Sequence, residues 1–379
     1  MRAFLRSLVE RVIPCAVATL GMASVTLAIS PNSIEQGREL FEREWSPKNP
    51  SLGSDGLGPL FNAASCVGCH HQGGVGGGGD ARFNAISVGI HSLTFTGQRS
   101  PVGNQGEKLA LVRSFFPGFV QPNGAIQNST PLPHHGGSSD FHSRRLFLRQ
   151  GSQAVYSEEG GPMDASEVRV GSGAPVVYTA TQGRTKMTLR AGVFQRNTTP
   201  LFGAGLLDEI PEEIIERQAK LQSRHPEVSG RISMLRNGLV GRFGWRANAS
   251  SLLRFVERAC ANELSLENKN RPQGVDPMRP NYRNTGVDIT EDQIANMTQF
   301  ISALPRPIQE LPSDSEERDR VTRGALVFES VGCAVCHVPQ LGKVGDLYSD
   351  LLLHDMGPNL YDYDAADPHV LRQTQTVQA

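Results

Sequence analysis

The sequence predicts a mainly α-helical protein in which long loops connect short helices and one sequence pattern occurs twice. Three observations support this prediction. Aromatic residues make up only 6% of the 379 residues, whereas the chain has 40 glycines and 24 prolines, a composition that favours loops over an extensive sheet. Several segments carry apolar residues at helical spacing. A Cys-x-x-Cys-His motif occurs at residues 66–70 and again at residues 333–337.

The first 28 residues are predicted to be a signal peptide that is cleaved on export, with an uncleaved anchor as the alternative. Arg2, Arg6 and Arg11 precede an apolar stretch, and the sequence TLA ends at Ala28 as a cleavage site would. No other stretch is long and apolar enough to span a membrane. We therefore expect a periplasmic or otherwise exported protein without a stable membrane span.

The charge balance excludes one class of partner. Lysine and arginine total 37 against 38 acidic residues, so the formal net charge is −1. A nucleic-acid-binding protein usually carries a basic excess. Nucleic acid is therefore not expected as a partner.

The cysteines follow a pattern that a disulfide framework does not explain. Of six cysteines, Cys15 lies in the signal peptide, four form the two motifs and Cys260 is left over. An odd number of mature cysteines does not suit a set of disulfides. Cys260 is predicted to be a small buried apolar residue on a helix over about residues 250–264.

The two motifs predict covalent haem. In Cys-x-x-Cys-His each thiol forms a thioether with one porphyrin vinyl group, and the adjacent histidine becomes the proximal iron ligand. A redox-active dithiol needs no histidine and usually lies in a βαβ unit, and a zinc site would need both distant pairs together. We expect two c-type haems, with His70 and His337 as iron ligands. The thioether positions are Cys66, Cys69, Cys333 and Cys336.

The segments before the two motifs are similar to each other. Each has the pattern Gly-x-x-x-Phe-Glu within an amphipathic segment, and a short helix followed by Cys-x-x-Cys-His is how a cytochrome c domain begins. Two unrelated amphipathic helices are the alternative. The matching residues are Gly37, Phe41 and Glu42 in the first copy, and Gly324, Phe328 and Glu329 in the second.

A run of glycines, GGVGGGG at residues 73–79, follows the first motif. It lacks the Lys-Ser/Thr of a phosphate-binding loop and does not follow a strand. It is predicted to be a flexible segment that lets the chain pass close to the porphyrin edge.

The domain boundaries follow from the helical segments. Thr290 and Gln293 form a capping box at the start of a helix that Pro305 ends. The last helix of a cytochrome c domain packs across the first, so this helix is expected to close a first domain over residues 29–304. That domain includes a large insertion, roughly residues 80–190, with a few short strands. A linker at 305–318 then leads to a second haem domain at 319–379.

Taken together, the motifs resemble one family, the bacterial di-haem oxidoreductases related to di-haem cytochrome c peroxidases, a group also described as thiol oxidoreductases. The matching pieces are GLGPLFNAASCVGCH, RNTTPLFGAGLLDEIP, GRFGWRANASSLL, GCAVCHVPQL and YSDLLLHDMGP. The resemblance implies two cytochrome c-like domains with one haem each, between which electrons pass. Members usually continue well beyond the HDMG block, so the second domain is expected to be incomplete.

The distal ligands and catalytic residues are less well specified. Met356 is a candidate distal ligand of the second haem, with a structural role in the HDMG turn as the alternative. Arg196 and Arg242 are candidates for the cation that would polarise peroxide or lie near a propionate, with helix capping or interdomain contact as the alternative. Candidates at the first haem are His71, His91, His134, His135, His142, Met163 and Met187.

We expect an exported di-haem oxidoreductase that passes electrons between its haems and has peroxide reduction as its chemistry. Its electron donor would be a small redox protein or a quinol-linked donor. Two alternatives are a non-catalytic di-haem electron carrier and a truncated remnant without turnover. Open iron coordination would favour the first hypothesis, and two six-coordinate irons would favour the carrier.

Overall fold

The computed structural model describes residues 31–49, 54–58, 60–80, 84–96, 125–127, 130–131, 176–182, 185–225, 227–228, 230–274, 284, 286–356 and 377–378. The predicted signal peptide lies outside these residues. Within the described part of the chain, no helix has the length and apolar character that crossing a membrane requires. The helices are α1 (Pro31–Glu42), α2 (Cys66–Cys69), α3 (Ala204–Asp208), α4 (Glu212–Gln222), α5 (Leu252–Glu263), α6 (Glu291–Ala303) and α7 (Ser315–Ser330).

Helix α6 packs against α1, which confirms the contact expected between these two helices. The contact is close at Gly37, where a β-carbon would lie 2.0 Å from the carbonyl oxygen of Asn296. The predicted capping box is present, because the Thr290 side chain accepts from the Gln293 amide and the Gln293 side chain accepts from the Thr290 amide. Glycine is therefore required where these two helix backbones meet.

The main hydrophobic core lies between α1, α3, α5 and α6. Phe41 of α1 and Phe300 of α6 are in ring contact, with centroids 5.4 Å apart. Cys260 is buried in this core, as predicted for a small apolar residue on α5. The largest fully buried side chains of this core are Phe41, Leu252, Leu266, Ile289, Ile294 and Met297.

The segment that was predicted to be an insertion contains strands of an antiparallel sheet. Four strands pair in the order β5-β4-β8-β7, and β4 and β8 each have 12 residues. These strands are longer than the few short ones predicted. The pairing register shifts between Ile90 and Ser92, so His91 lies at a β-bulge. The strands of the sheet are β4 (Ala85–Thr96), β5 (Ala125–Gln127), β7 (Val176–Gln182) and β8 (Thr185–Arg196).

Short strand pairs lie elsewhere in the chain. They join β1 to β2, β3 to β6, β9 to β10, and β11 to β12, all antiparallel. The strands are β1 (Pro47–Asn49), β2 (Ser54–Gly56), β3 (Leu60–Phe61), β6 (Thr130–Pro131), β9 (Gln340–Leu341), β10 (Val344–Gly345), β11 (Leu353–His354) and β12 (Val377–Gln378).

A second hydrophobic core joins α4 to the segment that follows the second motif. Ile215 of α4 is fully buried against apolar residues that lie on both sides of the predicted linker. The backbones also pair, since the amide of Arg231 donates to the carbonyl of Leu353 at 2.9 Å. The members of this second core are Ile210, Ile215, Val240, Leu341, Leu351 and Leu352.

Helix α7 carries the second copy of the Gly-x-x-x-Phe-Glu pattern. Asp314 caps its N-terminus by accepting from the Glu317 amide at 2.9 Å. Unlike α1, it has no buried residue, and Leu326 is 62% exposed. A β-carbon on Gly324 would have no atom of the described part of the chain within 4 Å. The two copies thus differ in packing although they share a sequence pattern.

Candidate functional site

The first motif forms one helical turn. Ser65 caps α2 by accepting from the Gly68 amide at 3.1 Å, and the His70 amide donates to the carbonyl of Cys66 at 2.9 Å. Residues three apart on a helix lie on the same side. The turn therefore presents Cys66 and Cys69 together, with His70 directly after them.

The imidazole of His70 is held in one orientation. Its Nδ1 lies 3.0 Å from the carbonyl oxygen of Gly77, and its ring centroid is 6.2 Å from that of Phe41 at an interplanar angle of 49°. Burial lowers the pKa of His70, opposed by the carbonyls of Gly77 and Thr199. A proton on Nδ1 that is donated to Gly77 makes Nε2 the nitrogen with the lone pair, as a metal-binding histidine requires.

The glycine run has a different role from the flexible segment that was predicted. It folds into a compact loop in which the Gly76 amide donates to the carbonyl of His70 at 3.0 Å. A β-carbon on Gly77 would lie 1.8 Å from the carbonyl oxygen of Gln72, and one on Gly79 would lie 2.5 Å from that of Cys69. Only glycines allow these close backbone approaches, which bring the Gly77 carbonyl to His70.

The second motif repeats these relationships. It forms a 3-10 helix, Cys333–Val335, and the His337 amide donates to the carbonyl of Cys333 at 2.9 Å. Nδ1 of His337 lies 3.2 Å from the carbonyl oxygen of Tyr348. The His337 ring centroid is 6.2 Å from that of Phe328, at an interplanar angle of 53°. Each histidine thus has an aromatic neighbour four residues after a matching glycine and a backbone carbonyl at Nδ1.

The two motifs differ in exposure. Cys66, Cys69 and His70 are half-buried beside the main core, whereas Cys333 and His337 are exposed. The first motif is therefore the more enclosed of the two, and the second is the more exposed to solvent.

The thiols of the first motif are protonated at neutral pH. Burial, followed by the neighbouring Cys69, raises the pKa of Cys66 to about 12, and burial with Glu263 and Asp80 raises the pKa of Cys69 to about 12. All described cysteines are free thiols. Addition of such a thiol across a vinyl group forms a thioether without loss of any atom and without a change in redox state.

A group of polar side chains acts on the electrostatics of the first motif. Asn62 donates through Nδ2 to Oε2 of Glu263 at 2.5 Å, and Cζ of Arg196 lies 4.9 Å from the centroid of the Trp245 ring. Burial raises the pKa of Glu263, and Asn62 and Arg196 oppose that shift. Because Glu263 also acts on the pKa of Cys69, Arg196, Glu263 and Cys69 form one electrostatic group.

Glu263 is a residue that the sequence interpretation missed. It ends α5, where the helix dipole disfavours a negative charge. That unfavourable position was the available signal. Met297 of α6 is buried, and its Sδ lies 3.9 Å from Sγ of Cys66, a contact that had no sequence signal.

Arg242 has a structural position. It is buried, and its Nη1 donates to the carbonyls of Leu207 and Asp208, each at 3.2 Å, and also to that of Ile210. These are the carbonyls at the end of α3 and in the turn before α4. The guanidinium therefore caps the C-terminus of α3, which agrees with the alternative interpretation of this residue.

The candidate distal ligands are placed as follows. Met356 is 47% exposed. The His71 amide donates to the carbonyl of Gly78 at 3.1 Å. His91 and Met187 lie in β4 and β8. The remaining candidates, His134, His135, His142 and Met163, lie outside the described residues.

Comparison of the chain with protein-family models, with curated proteins and with solved structures gives no match. The functional interpretation therefore depends on the geometry of the two motifs and on the chemistry of their residues.

Proposed function

We propose that the chain is an exported c-type cytochrome with two covalent haems that transfers electrons between them. The observation that carries this proposal is the repeated setting of the two motif histidines. Both His70 and His337 have Nδ1 at a backbone carbonyl and an aromatic ring at 6.2 Å. A hydrogen bond at Nδ1 orients a histidine and makes it a better metal ligand through Nε2.

The residues present fit this cofactor. At each motif one turn of backbone places two reduced thiols and a histidine together, with the histidine amide bonded to the carbonyl of the first cysteine. Cys66, Cys69 and His70 would hold the first haem. The second would be held by Cys333, Cys336 and His337. The iron of a bound haem supplies one-electron redox chemistry.

The packing of the helices supports cytochrome c-like domains. In the proposed first domain, α1 precedes the motif and α6 crosses α1 at Gly37. In the second, α7 precedes the motif and carries the same Gly-x-x-x-Phe-Glu pattern, with Phe328 at the motif histidine as Phe41 is in the first. The proposal depends only on the helix that precedes each motif and on the motif itself, so it does not require the second domain to be either complete or incomplete.

The difference in exposure suggests a direction for the electrons. The exposed second motif suits entry from a small redox protein or a quinol-linked donor. At the enclosed first motif, Glu263 acts on Cys69, and Asn62 and Arg196 act on Glu263; a cation with a carboxylic acid can assist O–O cleavage. Peroxide reduction at the first centre is therefore our second proposal. It consumes two electrons from the donor and two protons, and yields two water molecules.

The test is haem counting on the exported chain from a host that attaches c-type haem. We expect two haems per chain by absorbance and by intact mass. The double variant Cys66→Ala/Cys69→Ala should retain one haem, and Cys333→Ala/Cys336→Ala should also retain one. Cys260→Ala is the matched control, because Cys260 is a buried cysteine outside both motifs, and it should retain two.

The outcome separates the functional alternatives. A colourless chain with unmodified motif thiols would overturn the proposal. Two low-spin irons without peroxide consumption would indicate an electron carrier, whereas a high-spin iron that binds cyanide would support peroxide reduction. One haem only, at the first motif, would indicate a remnant. Periplasmic fractionation of the same cells tests the proposed export.

A further inference from the structure

Next to the second motif, three potential metal ligands lie together. The Sγ of Cys336, a carboxylate oxygen of Asp350 and a ring nitrogen of His354 are all within 4.8 Å of one another. Asp350 is 1% exposed and His354 is 3% exposed, whereas Cys336 is half-buried. Neither of the two buried side chains has a role in the proposed haem attachment.

The backbone holds this cluster from two sides. His354 belongs to a segment whose residue Leu353 exchanges two backbone hydrogen bonds with Arg231, at 2.9 and 2.8 Å. Asp350 accepts from the Leu352 amide at 2.9 Å, and its Oδ2 lies 2.8 Å from Nε2 of His354. The carboxylate and the imidazole are therefore fixed relative to each other before any ligand binds.

Gln222 of α4 links the cluster to the second motif through hydrogen bonds. Its Nε2 donates to Oδ2 of Asp350 and, at 2.8 Å, to the carbonyl of Val335 in the second motif. Its Oε1 is buried and has no hydrogen-bond partner among the described residues. A β-carbon on Gly230 would lie 1.9 Å from this Oε1 and 3.0 Å from Cε1 of His354, so the unpartnered oxygen lies beside the cluster.

We propose that the haem-free chain binds one zinc ion through Cys336, Asp350 and His354. Thiolate, imidazole and carboxylate are the ligands that zinc takes in proteins, and three protein ligands leave a fourth position for water. Metal–ligand distances of about 2.0–2.3 Å place tetrahedral donors roughly 3.3–3.7 Å apart. Nε2 of His354 lies 2.8 Å from Oδ2 of Asp350, and all three donor atoms lie within 4.8 Å of one another, so side-chain rotations would bring them to that spacing.

Each zinc ion that binds releases one proton from the chain. The Cys336 thiol loses its proton as the zinc–sulfur bond forms, and no redox change occurs. The hydrogen bond between His354 and Asp350 breaks, and the proton of the neutral imidazole moves from Nε2 to Nδ1, so that Nε2 and the Asp350 carboxylate each donate a lone pair to the ion. Gln222 remains bonded to the carboxylate as an outer partner of the kind that strengthens metal sites.

Zinc and haem exclude each other at Cys336. A thioether sulfur cannot be a thiolate ligand, so a chain with haem at the second motif has lost this site. Conversely, bound zinc would block thioether formation at Cys336 while the first motif remains open to haem. The zinc site itself is independent of the proposed function, because it concerns the chain before attachment.

The experiment uses the full chain produced without haem attachment, with Cys66→Ala and Cys69→Ala so that the first motif contributes no thiolate. Zinc affinity is measured by competition with a chromophoric chelator, and cobalt(II) replaces zinc to report sulfur ligation by its charge-transfer absorption. We expect one zinc per chain. Cys336→Ser should abolish the cobalt–thiolate band, and Gln222→Leu should weaken zinc binding by about 10–100-fold. Asp350→Asn and His354→Gln should weaken it more than Gln222→Leu does.

Cys333→Ser is the matched control, because Cys333 lies in the same motif but outside the cluster, and it should retain full affinity. Circular dichroism checks that each variant is folded. The proposal is overturned if no zinc binds, if Cys336→Ser binds as tightly as its parent, or if Cys333→Ser is affected equally. In haem counting, His354→Gln with intact motifs should still carry two haems, so failure of the zinc site and failure of haem attachment give different results.

Discussion

Gly37 lies so close to the carbonyl of Asn296 that a β-carbon at residue 37 would come within 2.0 Å of that oxygen. For the corresponding glycine before the second motif, Gly324, no atom of the described residues lies within 4 Å of the same position. One sequence pattern therefore occurs in two different packing environments, and the two glycines should respond differently to the same substitution.

We expect Gly37→Ala to destabilise the chain by about 3 kcal/mol, because the added methyl group forces α1 and α6 apart. Gly324→Ala should stabilise α7 by about 0.5–1 kcal/mol, since alanine is a better helix former than glycine. Denaturant unfolding of both variants measures these changes. Equal destabilisation by the two substitutions would contradict the packing described for α7.

The two thiols of the first motif should be unreactive in the folded, haem-free chain. At pH 8 a thiol with a pKa of about 12 has a thiolate fraction roughly 1000-fold below that of a thiol at the ordinary value of 9.0. Alkylation of Cys66 and Cys69 should be correspondingly slow in the folded chain and fast in urea. Peptide mass spectrometry measures both rates, with the exposed Cys333 as the internal reference. Labelling of Cys66 as fast as Cys333 would show that the first motif is not enclosed.

The same shift predicts alkaline instability of the haem-free chain. The unfolded thiols ionise near pH 9 and the folded ones only near pH 12, so the folded state binds more protons in this window. The contribution of the two protonated thiols to the free energy of unfolding is therefore fully present below pH 9 and is lost as the pH rises towards 12. Thermal unfolding across this range should show the loss in the haem-free chain. The chain with thioethers at both cysteines should lack that part of the pH dependence.

Glu263→Gln should stabilise the chain at neutral pH. Burial raises the pKa of Glu263 above its ordinary value of 4.5, so the ionised carboxylate destabilises the folded state, and this cost disappears once the pH falls below the ordinary pKa. Glutamine keeps an acceptor for Asn62 without the charge. The gain in melting temperature should thus be present at pH 7 and absent near pH 4. Glu291→Gln is a control at an exposed carboxylate, whose lowered pKa predicts the opposite sign.

Substitutions of Arg242 and Arg196 should have different effects, because Arg242 has a structural role and Arg196 an electrostatic one. Arg242→Gln leaves buried carbonyls at the end of α3 without their donor and should cost about 3 kcal/mol. The haem spectrum should be unchanged. Arg196→Gln loses a cation–π contact worth about 1 kcal/mol and also raises the pKa of Glu263, because Arg196 opposes that shift. In the chain that carries the proposed haems, the midpoint pH of the spectral titration at the first haem should rise for Arg196→Gln and stay unchanged for Arg242→Gln.

Local signals predicted much of the helical structure. The Thr290 and Gln293 pair correctly marked the start of α6, and the apolar spacing around Cys260 correctly placed that thiol in the core. These features depend on residues within one or two turns of each other, so periodicity and capping rules are sufficient to find them.

Features that depend on distant contacts could not be predicted. The alignment of β4 with β8 pairs Ala85 with Arg196, and no short pattern encodes a pairing between residues so far apart. Asn62 and Glu263 meet in the same way, across the body of the fold. The glycine run illustrates a third limit, because its composition suggested flexibility whereas its role depends on which carbonyl it brings to His70.

The apolar side chains of α4 have consequences for how the protein can be dissected. Ile215 is covered in part by Leu341 and Leu352, which come from beyond the predicted linker. A fragment that stops after α6 would expose the apolar side chains of α4 to solvent and would be prone to aggregate. A fragment that begins at α7 would lose the contacts that Leu341 and Leu352 make with α4. Each motif should therefore be characterised by point substitution within the whole polypeptide.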